Sequence, residues 1–172
     1  MSHDPLGGAT TGYTMETMDF DDIARRHQFL LSVKEAAEIP SGMALPTSRF
    51  VCLLIWDASD VEDEAIALLA RRLLSSGAVY LCAWGPDCKR VHDLVDAEAV
   101  DSFGSGADEG VVMTTSHDDD TLSEAVWFSR RCAFPDPRLA ADCDSILVIV
   151  IGSLAWAEEV RNAFLDESGT RN

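Results

Sequence analysis

The sequence predicts an α/β protein: a three-layer domain of the Rossmann-like or flavodoxin-like kind, with a four-stranded, mainly parallel sheet, helices on both faces and an additional N-terminal helix. Two observations carry that prediction. Phe50–Trp56, Ala78–Trp84 and Ser145–Ile151 are almost unbroken apolar runs, which suits strands covered on both faces rather than strands with one wet side. Each of these, and a shorter run beginning at Val111, is followed by a stretch whose apolar residues recur at helical spacing. Strand and helix alternating in this way fold most simply into a parallel sheet joined by right-handed crossovers. Strand orders 2-1-3-4 and 3-2-1-4 both satisfy the pattern.

Residues 1–14 are aperiodic, with Gly, Thr and Ser, and read as a flexible tail. A single domain is expected over residues 15–166, with a short second tail at 167–172. From Asp19 to Glu38 the residues Phe20, Ile23, Ala24, His27, Leu30 and Leu31 follow helical spacing, and Pro40 stops that helix. After the first strand, Ser59-Asp60-Val61-Glu62 has the form of a capping box. The helix it opens runs to about Ser76, with Val61, Ala65, Leu68, Leu69 and Leu73 inward and Gly77 as its stop. The second strand ends at Trp84, and Gly85-Pro86-Asp87 leads into a helix with Val91, Leu94, Val95 and Ala99 on one stripe. A loop containing Gly104-Ser105-Gly106 precedes the third strand, Val111 to Thr115. Thr121-Leu122-Ser123-Glu124 is a second capping box, opening a helix to about Cys132. Phe134-Pro135-Asp136-Pro137 cannot continue it and reads as an ordered loop. After the fourth strand, Gly152-Ser153 turns into a last helix with Trp156, Ala157, Val160 and Phe164 inward.

The charge narrows the choice of partner. Lys and Arg number 13 against 30 Asp and Glu, a formal net charge of −17. Such a field repels phosphate backbones and anionic lipid, so no nucleic acid and no membrane surface is expected as a partner. A basic protein partner or a metal cation is compatible with it, and plain solubility accounts for the same charge. Five cysteines without a CxxC pair give no disulfide framework, so a reducing cytoplasm is the expected setting. Met1 to Thr14 has neither the basic nor the apolar segment of a secretory leader, and the longest apolar runs are too short to span a bilayer.

In a parallel sheet the strand ends would bring Trp56-Asp57, Trp84-Gly85, Ser116-His117-Asp118 and Gly152-Ser153 to one edge, where open α/β proteins place ligands. A nucleophilic reading makes Ser153 the nucleophile, His117 its base, and Asp57 or Asp118 the orienting acid. No GxSxG elbow surrounds Ser153, however, and a serine there is simply a good N-cap. A second reading gathers a divalent cation on Asp57, Asp60 and the run Asp118, Asp119, Asp120, since hard cations need several converging carboxylates. Phosphoaspartyl enzymes and receivers likewise place acids after a first strand, but this chain has no DxD there and no lysine after the fourth strand. The same acids sit in or before first helical turns, where the helix dipole favours them. No cofactor is expected otherwise: GxxxxGK and GxGxxG are both absent.

The remaining candidates have bland explanations beside functional ones. Cys88 and His92, four apart on a helix, could share a metal but lack further ligands. His27, on an apolar face, reads as a satisfied core or interface histidine, and His3 lies in the tail. Arg130-Arg131 could clamp an anion, yet basic residues at a helix C-terminus also complement its dipole. Trp56 and Trp84 end neighbouring strands and could wall a shallow pocket with Ser116 nearby.

The tract from Met113-Thr114-Thr115-Ser116-His117 through Glu124-Ala125-Val126-Trp127-Phe128, with Cys132-Ala133-Phe134-Pro135-Asp136 and Cys143-Asp144-Ser145, resembles that of a small bacterial family with no assigned function. The resemblance covers roughly the C-terminal half. It implies a single α/β domain and brings no activity, cofactor or catalytic residue. Two functions are therefore expected: an acidic module, immunity-like or accessory, that engages a basic protein through Asp118, Asp119 and Asp120; or a small hydrolase, metal-assisted enzyme or ligand-binding domain using the strand-tip edge.

Overall fold

The structure, a computed structural model, describes residues 13–21, 25–103 and 109–168. Its N-terminal part is a β-hairpin, not the expected helix. β1 (Thr14–Asp21) pairs antiparallel with β2 (Arg26–Val33), with Thr14 opposite Ser32 and Met18 opposite Gln28. Phe29, Leu30 and Leu31 are buried because β2 is an interior strand with both faces covered. A short apolar run of that kind fits helical spacing and a buried strand equally well, and strand pairing decides it here. His27 consequently faces solvent instead of the core. Thr14 belongs to β1 rather than to a tail, while Ile23, Ala24, His3 and the Gly104-Ser105-Gly106 loop lie outside the described residues.

The alternation of strand and helix follows as expected: β3 (Phe50–Trp56), α1 (Asp63–Ser75), β4 (Ala78–Trp84), α2 (Cys88–Phe103), β5 (Met113–Ser116), α3 (Leu122–Arg131), β6 (Ser145–Ile151) and α4 (Leu154–Ser168). β5 begins after Val111 and Val112 rather than at Val111, and Ala65 and Leu68 of α1 are exposed rather than inward. The sheet has six strands rather than four, in the order β1-β2-β6-β3-β4-β5, and every pairing except β1 with β2 is parallel. Of the two orders expected for the last four strands, 3-2-1-4 is the one found. β6 occupies the middle of the sheet. Leu53 and Ile55 of β3, with Leu147 and Ile149 of β6, are completely buried beside Leu30 of β2.

The crossovers place the helices. From β3 to β4 to β5 the chain moves in one direction, so right-handed connections put α1 and α2 on the same face, where they pack together. The return from β5 to β6 crosses back on the other face, where α3 packs against α4. Arg161 of α4 donates to Glu16 through Nε (2.9 Å) and again through Nη2, which fastens the edge strand β1 to that layer. Among the described residues no helix is long and apolar enough to cross a membrane.

The two expected capping boxes part company. Thr121 caps α3: its Oγ1 accepts from the Glu124 N–H (3.2 Å), and Glu124 Oε2 accepts from the Thr121 N–H (2.7 Å). Ser59 caps nothing, because its N–H and hydroxyl both donate to Asp57 Oδ1 (3.1 and 2.7 Å) and α1 starts only at Asp63. The acid preceding the serine wins it for a local turn.

Candidate functional site

β3 and β6 are neighbours, but the chain leaving each goes to opposite faces: α1 with α2, and α4 with α3. Among the described residues nothing fills the gap at their C-terminal ends, and a cleft of about 420 Å³ opens there. Trp56, Asp57 and Asp60 line it from the β3 side, Gly152, Ser153 and Trp156 from the β6 side, and Lys34 from the end of β2. A second cavity of about 500 Å³ shares Lys34, Gly152 and Ser153 and reaches the Glu16–Arg161 pair.

The loop carrying Asp57 and Asp60 is held from outside. Arg90 of α2 donates through Nη2 to the carbonyls of Ala58 (2.6 Å) and Val61 (3.0 Å), and it pairs with Asp63 (2.5 Å) and Asp87 (2.7 Å). The Ala58 N–H donates to the Pro86 carbonyl (3.1 Å), so the β3–α1 and β4–α2 loops are bonded to each other. Beneath them Gly85, at φ +118°, passes so close to β3 that a Cβ there would lie 2.4 Å from the Trp56 carbonyl oxygen. The cleft floor is thus fixed by backbone contacts, while Asp57 and Asp60 are exposed.

Ser153 is the N-cap of the last helix, its Oγ accepting from the Trp156 N–H (3.1 Å). Trp156 stands edge-on to Trp84, with ring centroids 5.3 Å apart at 85°. The Trp84 indole N–H in turn donates to the Asp120 carbonyl (2.8 Å). Trp56 therefore walls the cleft as the sequence suggests, whereas Trp84 stands behind Trp156.

His117 does not join Ser153. It is 5% exposed, and both ring nitrogens are engaged by near neighbours in the chain: Nδ1 with Asp120 Oδ2 (2.6 Å) and Nε2 with Thr115 Oγ1 (3.1 Å). Its ring packs on Phe128, with centroids 4.7 Å apart. Asp120 is its carboxylate partner; Asp57 lies in the cleft and Asp118 is exposed. Ser116, half-buried, ends β5 opposite Ala83. Asp118 and Asp119 point to solvent beside it, so the acidic run does not close on Asp57 and Asp60. Among the described residues no three His, Cys, Asp or Glu side chains converge as a metal site.

The other candidates separate as well. His92 binds Asp93 through Nδ1 (2.9 Å) and the Thr114 hydroxyl through Nε2 (3.1 Å), and Cys88 is buried. All five cysteines are free. Burial pushes the Cys52 thiol far up, Cys82 up to about 12 and Cys143 up to about 11, so these three stay protonated and act as small apolar residues. Lys34, Arg90 and the lining role of Trp156 were not signalled in the sequence. Lys34 reaches the cleft only because β2 runs parallel to β6, which the helical reading of that segment conceals.

These features define an open, mostly parallel α/β domain with a polar cleft where its connections part. The chain belongs to the family described as Domain of unknown function (DUF7684), whose model matches residues 29–167, from within β2 through α4. No curated protein and no solved structure matches it.

Proposed function

We propose that this domain binds a small polar ligand in the cleft between the ends of β3 and β6. The observation that carries the reading is the departure of α1 and α4 to opposite faces, with two carboxylates, a lysine, a serine and two indoles around the gap they leave. Counted from β3, the parallel strands run 3-2-1-4, as in one half of a Rossmann-like sheet, and such sheets take ligands at this point. The chemistry is not that of a nucleotide site, since two carboxylates stand where a phosphate cradle would be. Asp57 and Asp60 suit a ligand presenting an ammonium group or several hydroxyls, with an apolar flank against Trp56 and Trp156. The reading is one of binding and asks no reaction of these residues. Free thiols suit a reducing compartment such as the cytoplasm.

Nitrogen-labelled protein titrated with amino acids, polyamines and monosaccharides tests this. A binder should shift the Trp56 and Trp156 indole N–H signals saturably, and Asp57→Asn should weaken it. If every compound leaves those signals still, the cleft is not the site.

A second reading keeps the domain as an acidic docking module for a basic protein. Asp57, Asp60, Asp118, Asp119 and Asp120 are all exposed on one edge of the sheet, which supports electrostatic steering of such a partner. Replacing Asp118 and Asp119 by Asn spares the His117 contact and should slow association with a partner captured at low salt. An unchanged association rate removes this reading.

A further inference from the structure

At the opposite edge of the sheet, where the strands begin, a cavity of about 550 Å³ is lined by three arginines: Arg26 from β2, and Arg130 and Arg131 from the last turn of α3. Phe134, Pro135 and Pro137 form an apolar wall, and Cys143 and Asp144 lie at the start of β6. The helix dipole accounts for Arg130 and Arg131, which have partners of their own, Arg130 also stacking on Phe164 at 4.6 Å. It does not account for Arg26, which arrives from another element. Arg26 is 6% exposed; its Nη2 donates to the Ala133 carbonyl (3.1 Å) and its guanidinium lies 5.6 Å from the Phe134 ring centre. Its Nη1 is buried without a hydrogen-bond partner among the described residues. A buried guanidinium N–H left unmatched is costly, and such groups are otherwise almost always satisfied.

The geometry points to a binding site for a small organic oxyanion, a carboxylate or phosphate monoester, whose charged head meets Arg26 and whose apolar body lies against Phe134 and the two prolines. Three of the 13 basic residues of a chain of net charge −17 meet at this one cavity, against a single carboxylate, Asp144, in its lining. Arg26, whose Nη1 has no partner among the described residues, supplies the charge that an anion needs to approach an otherwise repelling molecule. Guanidinium is also the group best matched to planar and tetrahedral oxyanions, through paired N–H donors. Phe134, 67% exposed, is an aromatic face left open at the mouth of the cavity.

Calorimetric titration at low ionic strength with benzoate, phenyl phosphate and inorganic phosphate tests the site. One-to-one binding of benzoate or phenyl phosphate is expected; which of them binds more tightly distinguishes carboxylate from phosphate. Arg26→Gln should weaken it about tenfold or more, the worth of one charge-assisted hydrogen bond. Phe134→Ala should weaken phenyl phosphate while leaving inorganic phosphate unchanged. Should Arg26→Gln fail to fold, Arg131→Gln and Phe134→Ala carry the test. Asp57→Asn, at the other edge, should have no effect. Absence of saturable binding by all three compounds, or binding indifferent to both arginine substitutions, overturns the assignment.

Discussion

Replacing His117 by alanine separates a structural histidine from a reacting one. The side chain is 5% exposed, its ring lies against Phe128, and its two nitrogens join Thr115 at the end of β5 to Asp120 just before α3. Truncation removes an aromatic ring from a closed site and two hydrogen bonds with it. Aromatic-to-alanine changes in cores cost about 3–5 kcal/mol. The imidazole is smaller and more polar than the rings behind that range, and Asp120 is 43% exposed, so water can take over its carboxylate. About 2–4 kcal/mol is therefore expected, which for a chain of this length lowers the melting temperature by roughly 5–15 °C. Asp120→Asn keeps an acceptor for Nδ1 and should cost under about 1 kcal/mol. Thermal and urea unfolding followed by circular dichroism measure both. A His117→Ala protein that melts within about 2 °C of the parent would show that the imidazole bears no structural weight, which a side chain so enclosed should bear.

Two further outcomes follow from backbone and loop geometry. Gly85→Ala must adopt φ +118° and press its Cβ toward the Trp56 carbonyl, so it should cost about 3 kcal/mol or more and lower the urea midpoint; an unchanged midpoint would show that the β3 and β4 ends have slack. Asp136 accepts from the Arg138 side chain (2.7 and 3.0 Å), the Arg138 N–H (2.9 Å) and the Val111 N–H (3.1 Å), which together hold its carboxyl well below the usual 3.8. Its contribution is present above that unfolded-state value and fades as pH falls through the lower native one. Asp136→Asn should thus be the less stable protein near neutrality, with the gap closing in strong acid; a gap independent of pH, read from urea melts, would remove the pairing as its cause.

The parts of the fold legible in the sequence are those where one signal dominates. Phe50–Trp56, Ala78–Trp84 and Ser145–Ile151 are strands residue for residue, because a run that apolar must be covered on both faces. Thr121 is a cap for the reason its spacing to Glu124 suggests. The hairpin was illegible because Phe29-Leu30-Leu31 is too short to distinguish a period of two from one of 3.6, and its neighbours Arg26 and Gln28 are polar yet buried. Ser59 misleads because α1 begins only at Asp63, beyond the reach of its oxygen as a cap, and its hydroxyl donates to Asp57 instead. Around the cleft, Trp56, Asp57, Asp60 and Ser153 are legible since each ends a strand or lies in the few residues that follow one. Lys34 and Arg26 are not: their places depend on β2 lying beside β6, a pairing between segments more than a hundred residues apart.

The central place of β6 bears on how the chain is made. Among the described residues, β2 pairs only with β1 and β6, and β3 only with β4 and β6. A nascent chain emerging from the ribosome therefore holds two separate pieces, a hairpin and a β3–β4–β5 unit, whose facing edges have nothing to bond until Ser145–Ile151 arrives. Both edges are apolar and unprotected during that interval, the condition under which strands find wrong partners. A message cut short before that segment would yield not a smaller version of this domain but a sticky intermediate, a substrate for chaperones or proteases.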